Sequence, residues 1–196
     1  FLIVGANPPA RTIGKALQDM GSRVLLTDSS WENIRAARME GLPTYFGNPA
    51  SQHADAHLDL VGLGHLLGLS PAGELNALAC MRFRHDFGAQ RLFSLASGLE
   101  LSRSDKHRAS DEHRGQLLGS QPLTYVQLAN QLHRGAELYS THLTEAFGWD
   151  AYRQLHGDRA TLLFARDAQG WVHVLGPDHD LTPVSYTHLR AHETPE

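Results

Sequence analysis

The first 28 residues of this 196-residue chain, FLIVGANPPARTIGKALQDMGSRVLLTD, indicate its fold. Residues 1–5, FLIVG, are apolar up to the glycine, as expected for a parallel strand covered on both faces. Residues 10–21 carry apolar side chains at helical spacing and end at Gly21, which suits a helix C-terminus. Residues 22–28, SRVLLTD, have the pattern of a second strand. The stretch therefore predicts a strand, a helix and a strand in succession.

The same alternation continues as far as residue 97. A second helix is predicted at 29–41, with Ser29 or Ser30 as its N-cap. Further strands are predicted at 43–47, 64–70 and 91–97, and further helices around 56–63 and at 71–88. Strands that alternate with helices of this length predict a parallel sheet with right-handed crossovers. The fold class is therefore α/β, a doubly wound, Rossmann-like sheet followed by a small α+β lobe.

The composition changes after Gly98, and this change sets the domain boundaries. We expect a Rossmann-like domain at residues 1–99, a polar linker or helix at 100–121, and a small α+β lobe at 122–183. In the lobe, helices are predicted at 123–133 and 149–157, a strand at 136–143, and a hairpin at 160–176 that turns at residues 167–170.

Charge and composition exclude several classes of protein. The net charge of −4 at pH 7 argues against a nucleic-acid partner, because duplex binding needs clustered Lys and Arg. The single Cys80 excludes an internal disulfide and fits a small core residue. The longest charge-free apolar stretch, at residues 60–73, is too short and too interrupted to cross a bilayer.

Both ends of the chain look artificial. The chain starts at Phe1, inside a strand pattern, so we expect the natural protein to begin upstream. At the other end, residues 184–194, VSYTHLRAHET, resemble the translation of a sequencing-library adapter. We therefore expect residues 184–196 to be a non-native tail, and we leave them out of the fold prediction.

The turn after the first strand resembles a dinucleotide-binding fingerprint in which two glycines are replaced. Gly5 takes the place of the first glycine, Asn7 the second and Ala10 the third. Asn tolerates left-handed backbone and Ala is small, so the geometry can survive. Pro8 and Pro9 have no N–H, which leaves Asn7, Ala10 and Arg11 as the donors for a phosphate. We expect a weakened phosphate clamp.

Asp28 strengthens the prediction of a nucleotide site. It stands at the end of the second strand, where an acid accepts hydrogen bonds from a ribose diol. A carboxylate at this position favours NAD or an adenosine nucleotide over NADP. The alternative is that Asp28 only caps the helix that follows it.

Three stretches, at residues 5–21, 25–49 and 67–80, resemble the Trk-type nucleotide-binding domain, also called the regulator-of-potassium-conductance (RCK) domain. More narrowly, the chain is similar to the cytoplasmic C-terminal part of bacterial sodium:proton antiporters of the cation:proton antiporter superfamily. The resemblance covers roughly residues 1–100, and the following lobe looks like the tail of the same antiporters. The family often has an acidic residue where this chain has Asn48. The nucleotide contacts that the resemblance implies fall on Gly5, Ala6, Asn7, Asp28, Gly47, Asn48, Pro49 and Ser70.

The resemblance implies a regulatory domain on the cytoplasmic face of the bacterial inner membrane, joined to a transmembrane antiporter that moves monovalent cations. The expected ligand is NAD(H) or an adenine nucleotide (ATP, ADP or AMP), acting as a signal. We also expect a homodimer formed through the Rossmann-like domain, no metal and no catalytic residue. His53 and His57 have the spacing of a metal-binding pair, but a solvated helix start accounts for them as well. Two alternatives stay open: a small NAD-dependent oxidoreductase or epimerase fragment, and a Rossmann module that makes only dimer contacts.

Overall fold

A computed structural model of the chain describes residues 1–97, 115–157 and 160–177 in full and residues 187–192 as backbone. Within these ranges, parallel strands form a sheet with the order β3-β2-β1-β4-β5-β6. Its members are β1 (Leu2–Val4), β2 (Leu25–Asp28), β3 (Thr44–Phe46), β4 (Leu66–Gly68), β5 (Leu92–Ser94) and β6 (Gln116–Leu117). This is the strand order of the doubly wound dinucleotide-binding fold, so the predicted fold class is confirmed.

Helices connect the parallel strands and cover both faces of the sheet. They are α1 (Pro8–Asp19), α2 (Trp31–Met39), α3 (Gln52–His57), α4 (Gly73–Arg82) and α5 (Arg84–Phe87), with a 3-10 turn at Ala89–Arg91. None of the helices in the described ranges is long and apolar enough to span a bilayer.

Side chains of β1 enter two separate apolar cores, one on each face of the sheet. Ile3 packs in a cluster that includes residues of α1 and α2, whereas Leu2 and Val4 pack in a cluster that includes residues of α4. All three side chains are fully buried. Complete burial of an aliphatic side chain contributes about 1.5–3 kcal/mol each, which explains why the strand is apolar without interruption.

Helix α1 ends before Gly21, as predicted, but it begins at Pro8 and not at residue 10. Asn7 is the N-cap, and Pro8 and Pro9 occupy the first two helical positions, where a missing N–H breaks no intrahelical bond. The helix ends at Asp19, and Gly21 follows with a φ of +84°, the left-handed conformation of a helix C-terminus. In the same way Ser30, one of the two candidates, is the N-cap of α2.

Two helices differ most from their predicted bounds. Helix α3 is predicted around residues 56–63 but covers Gln52–His57. The Ser51 hydroxyl accepts the Ala54 N–H at 3.2 Å and starts the helix early, and Leu58 is already extended, so the apolar residues after it are not helical. The long helix predicted at 71–88 is broken at Phe83, which leaves helical geometry between α4 and α5. Phe83 stays buried in the core cluster that contains Leu2 and Val4.

The parallel sheet is longer than the sequence patterns predict, since they indicate five strands. Strand β6 pairs with β5 and lies in the range assigned to the linker at 100–121. Thr124, beyond that range, forms a parallel bridge with Ala96. The domain boundaries at 99, 121 and 183 stay a prediction. Most of the linker lies outside the described residues.

A second sheet is antiparallel and has the strand order β7-β10-β8-β9. It consists of β7 (Leu138–His142), β8 (Ala160–Arg166), β9 (Val172–Val174) and β10 (Thr187–His192), and it is accompanied by helices α6 (Tyr125–His133) and α7 (Trp149–His156). The hairpin of β8 and β9 turns at Asp167–Gly170, as predicted, with the Gly170 N–H donated to the Asp167 carbonyl at 3.0 Å. Leu128 and Leu163 join the core cluster that contains Ile3, so this sheet packs on the α1 side of the first one.

Strand β10 falls within the tail that we left out of the fold prediction. It lies between β7 and β8 and pairs with both. Ladder hydrogen bonds are made by the backbone, which any extended segment can offer. The pairing therefore gives residues 187–192 a place in the sheet but does not test the adapter-like origin of the tail, which stays a prediction.

Candidate functional site

A cleft opens beyond the carboxyl ends of β1, β2, β3 and β4. In a sheet of this topology, β1 and β4 are the strands at which the chain reverses direction across the sheet, and ligands bind there. The cleft has a volume of about 210 Å³, including space open to solvent. It is lined by Gly5, Thr27, Asp28, Ser29, Gly47, Pro49, Ser70 and Leu75.

The turn after β1 requires glycine at its first position. Gly5 has a φ of +109° and donates its N–H to the Thr27 carbonyl at 2.7 Å. A Cβ on Gly5 would lie 2.9 Å from Asn7 Nδ2 and 3.2 Å from the Ser70 nitrogen. The backbone of β1 therefore meets the segment after β4 with no room for a side chain, which is the role of the first glycine in the fingerprint.

The carboxylate of Asp28 joins the turn after β1 to helix α2. Its Oδ2 accepts the Ala6 N–H at 2.8 Å and the Asn33 side-chain amide at 3.0 Å, and its Oδ1 accepts the Ser30 N–H at 2.8 Å. A carboxylate offers about four acceptor positions, so these three donors leave one, on Oδ1. Asp28 therefore does more than accept hydrogen bonds at the start of helix α2, since it also accepts one from the turn after β1. One acceptor position is left for a hydroxyl group of a ligand.

Asn7, at the second fingerprint position, is buried and spans the gap between two strands. Its Oδ1 accepts the Ala10 N–H at 3.1 Å, which caps helix α1, and its Nδ2 donates to the Leu69 carbonyl at 2.8 Å. The backbone conformation of Asn7 is extended rather than left-handed. Both ends of the side-chain amide therefore have protein partners.

Arg11 has protein partners on the other side of the turn. The guanidinium donates to Glu40 at 2.7 Å and to the Ala6 carbonyl at 2.9 Å, and the Arg11 N–H donates to the Asn7 carbonyl at 3.0 Å. Arg11 is absent from the cleft lining. The structure thus gives both the guanidinium and the amide of Arg11 other hydrogen bonds, and a phosphate contact by Arg11 stays a prediction.

The loop after β3 closes the cleft on its far side. Gly47 has a φ of +146° and donates its N–H to the Asp28 carbonyl at 2.9 Å. The Asn48 side chain accepts the Ala50 N–H at 2.9 Å, which shapes the loop, and Pro49 lines the cleft while Asn48 does not.

Ser70 is held in place by a residue that the sequence patterns do not indicate. The buried Asn76, on helix α4, accepts the Ser70 N–H at 3.1 Å and donates to the Ser70 carbonyl at 2.9 Å. The same side chain lies against Gly68, where a Cβ would be 2.8 Å from Asn76 Cβ. The sequence does contain one signal for this role. Asn76 stands in the middle of an apolar helix pattern, and a buried side-chain amide needs hydrogen-bond partners.

Of the ten residues predicted to bind nucleotide, the structure brings five to the cleft: Gly5, Asp28, Gly47, Pro49 and Ser70. The other five, Ala6, Asn7, Ala10, Arg11 and Asn48, lie behind or beside it and make the hydrogen bonds described above. The structure adds Thr27, Ser29 and Leu75 to the lining. Thr27 and Ser29 flank Asp28 in sequence, whereas Leu75 reaches the cleft only through the packing of α4.

The remaining candidates lie outside the cleft lining. His53 and His57 are exposed and stacked with ring centroids 4.0 Å apart, and His53 Nδ1 is 2.9 Å from the Tyr45 hydroxyl. Among the described residues, no three His, Cys, Asp or Glu side chains converge as a metal site would require. Burial raises the pKa of the Cys80 thiol to about 12, so Cys80 is a core residue, as expected.

No protein-family profile matches the chain, and no curated protein matches it. The chain is similar to several solved structures. One is the NAD(P)-binding domain of an exopolyphosphatase-related protein from Archaeoglobus fulgidus, with 18% identity, a TM-score of 0.48, and coverage of 67% of this chain and 92% of that one. Another is the TrkA-N domain of the inner membrane protein YbaL from Escherichia coli, with 16% identity, a TM-score of 0.41, and coverage of 48% and 72%.

The GsuK channel bound to NAD is also similar, with 15% identity and a TM-score of 0.45. The likeness covers 98% of this chain but 37% of the channel chain. Identities and TM-scores this low identify neither a ligand nor a partner. The Rossmann-like fold is established by the strand order of the first sheet.

Proposed function

We propose that this chain is a nucleotide-sensing regulatory domain of a membrane monovalent cation:proton antiporter. The observation that carries the proposal is the placement of Asp28. Its carboxylate lines a cleft at the reversal point of the sheet and keeps one acceptor position on Oδ1. A ribose hydroxyl is the group that such a carboxylate accepts in this fold.

The lining of the cleft favours a sensor over an enzyme. Asp28 is the one ionisable side chain among the described residues that line it. Its three hydrogen bonds to protein donors keep it in place as an acceptor, and a general acid or base must instead exchange protons with substrate. A ligand bound here would act by stabilising one arrangement of the domain, which would then bias transport through differential affinity for two states.

The transporter in this proposal comes from the sequence resemblance, which points to sodium:proton antiporters. The domain would lie on the cytoplasmic face of the membrane and form a homodimer through its Rossmann-like part. The DNA upstream of the codon for Phe1 tests this directly. We expect it to encode several apolar spans of about 20 residues each, and an upstream region without such spans would contradict the antiporter.

One specific observation supports an alternative, in which the Rossmann-like part serves only as a structural module. The donors and acceptors around the turn after β1 are largely used by the protein itself, as the bonds of Asn7, Arg11 and Asp28 show. A module without ligand would have the same internal bonds. Binding measurements therefore decide between the two functions.

The experiment measures binding of AMP, ATP, NAD⁺ and NADH to the full chain by calorimetry and by thermal shift, for the wild type and for Asp28→Asn. Loss of a hydrogen bond to a charged group costs about 1.5–3 kcal/mol, so the affinity of Asp28→Asn should fall roughly ten- to a hundred-fold. Asp19→Asn is the matched control, since Asp19 is an exposed carboxylate that pairs only with Lys15 in the structure described here. Equal binding by Asp28→Asn would reject the site, and no binding by the wild type would favour the structural module.

Regulation is tested in the reconstructed full-length antiporter. In Asp28→Asn the response of proton flux should require roughly ten- to a hundred-fold more nucleotide, and in Asp19→Asn it should stay at the wild-type concentration, because the effect of a ligand follows its binding. Turnover of NADH with a small carbonyl compound at enzymatic rates would instead support the oxidoreductase alternative.

A further inference from the structure

We infer that the cleft recognises the nucleoside part of its ligand and gains little affinity from phosphate groups. The inference rests on the proposed function, since it assumes that a nucleotide binds at Asp28. It concerns which part of that nucleotide the protein binds.

The first reason is that the N-terminus of helix α1 has almost no donor left for a phosphate. Pro8 and Pro9 have no N–H. The N–H groups of Ala6 and Ala10 are donated to Asp28 and Asn7 side chains. Only the Asn7 N–H has no acceptor among the described residues. A phosphate site at a helix N-terminus depends on several such groups together.

The second reason is the charge of the cleft. Among the residues that the structure describes, the lining contains one charged side chain, the Asp28 carboxylate, and no Lys, Arg or His. The nearest cation on the turn, Arg11, is paired with Glu40 at 2.7 Å and bonded to the Ala6 carbonyl. A phosphate placed in this cleft would therefore meet a negative charge without a compensating positive one from the described residues, and it would gain no electrostatic attraction there.

The third reason is that the cleft does offer what a nucleoside needs. Oδ1 of Asp28 accepts one hydroxyl, and the Ser29 and Ser70 hydroxyls are neutral polar groups. Pro49 and Leu75 supply apolar surface for a sugar or base.

The binding of adenosine, AMP, ATP and NAD⁺ to the full chain, measured by calorimetry at one ionic strength, tests the inference. We expect AMP, ATP and NAD⁺ to bind no more than about three-fold more tightly than adenosine. A constant for AMP, ATP or NAD⁺ at least ten-fold below that of adenosine would overturn the inference while leaving the proposed function intact. If none of the four binds, both fail.

A second variant tests the cause. Pro8 is exposed at the first position of α1, so Pro8→Ala adds one N–H there without opening the core. We expect the ratio of AMP affinity to adenosine affinity to rise at least three-fold, with adenosine affinity unchanged. Pro122→Ala, at another exposed proline outside the cleft lining, is the control and should leave the ratio unchanged. An unchanged ratio in Pro8→Ala would show that the prolines are not what withholds phosphate affinity.

Discussion

Asn7 and Leu69 are 62 positions apart in sequence, yet Asn7 Nδ2 donates to the Leu69 carbonyl at 2.8 Å in the interior of the protein. This hydrogen bond joins the turn after β1 to the segment after β4, at the point where the sheet reverses direction. The same side chain caps helix α1 through its oxygen. One side-chain amide thus links the turn after β1 to the segment after β4.

Asn7→Ala should be among the more destabilising single substitutions in the first domain. It removes an N-cap, which costs about 0.5–2 kcal/mol, and leaves the buried Leu69 carbonyl without its donor, which costs about 1–3 kcal/mol. Denaturant unfolding should therefore show a loss of about 2–4 kcal/mol. Ser51→Ala is the control, because Ser51 caps the exposed α3 and bridges no strands, and should cost about 1 kcal/mol. Equal losses in the two variants would contradict the role given to the bond with Leu69.

Gly5→Ala and Gly21→Ala should differ, although both glycines have a positive φ. At Gly21 an added Cβ meets nothing within 4 Å, so the cost is the conformational one, about 1–2 kcal/mol. At Gly5 the Cβ would lie 2.9 Å from Asn7 Nδ2, and overpacking adds about 1–3 kcal/mol. The free energy of unfolding should therefore be lower for Gly5→Ala than for Gly21→Ala. The opposite rank would mean that the gap between β1 and β4 is wider than described.

His65 should make the stability of the protein depend on pH below neutrality. Its ring stacks on Phe1 with centroids 5.0 Å apart, and burial lowers the pKa of His65 to about 4, with Arg91 adding to the effect. The unfolded chain, with a His pKa near 6.5, then binds more protons than the folded chain between about pH 4 and 6.5. Stability should be unaffected by His65 above pH 6.5 and should decrease as the pH falls from 6.5 towards 4.

Urea unfolding at several pH values between 4 and 8 measures this dependence. His65→Phe keeps an aromatic ring against Phe1 and cannot be protonated, so its stability should fall less steeply below pH 6.5 than that of the wild type. Other titrating groups contribute equally to both proteins, which leaves the difference between the two curves as the signal. If the curves of stability against pH run parallel for the wild type and His65→Phe, the pKa of His65 is the same in the folded protein as in the unfolded chain.

Truncation after Pro183 removes β10 and tests whether the parallel sheet depends on the antiparallel sheet. Strand β10 pairs with β7 and β8 and with no strand of the parallel sheet. We therefore expect amide hydrogen exchange in β1, β2 and β4, and nucleotide binding, to be unchanged by the truncation. Faster hydrogen exchange of β1 or β4 amides in the truncated chain would show that the parallel sheet depends on β10.

Exchange in β7 answers a second question in the same experiment. Among the strands that the structure describes, β7 is at the edge of the sheet and pairs with β10 alone. Loss of protection in β7 on truncation would show that residues 187–192 support the fold. Unchanged protection would agree with the adapter-like origin predicted for residues 184–196.

The sequence by itself determined the parallel sheet and the place of the cleft. The first five strands are short apolar runs, and a helix follows each of β1 to β4. Local groups mark the start and end of α1, as Asn7 and Gly21 show. Such signals act over a few residues and so can be recognised in a sequence. Because parallel strands end at the same edge, the pattern also brought Gly5, Asp28, Gly47 and Ser70 to one cleft.

Only the tertiary structure decided how the polar groups around the cleft are used. Arg11 pairs with Glu40, 29 positions away, the Ala6 N–H bonds to Asp28, 22 away, and Asn76 packs against Gly68 to hold Ser70. The pairings of β6 and β10 are likewise not marked by any local pattern. A hydrogen bond between distant residues depends on the packing of whole elements, so the residue types show that donors and acceptors are present but not which of them meet.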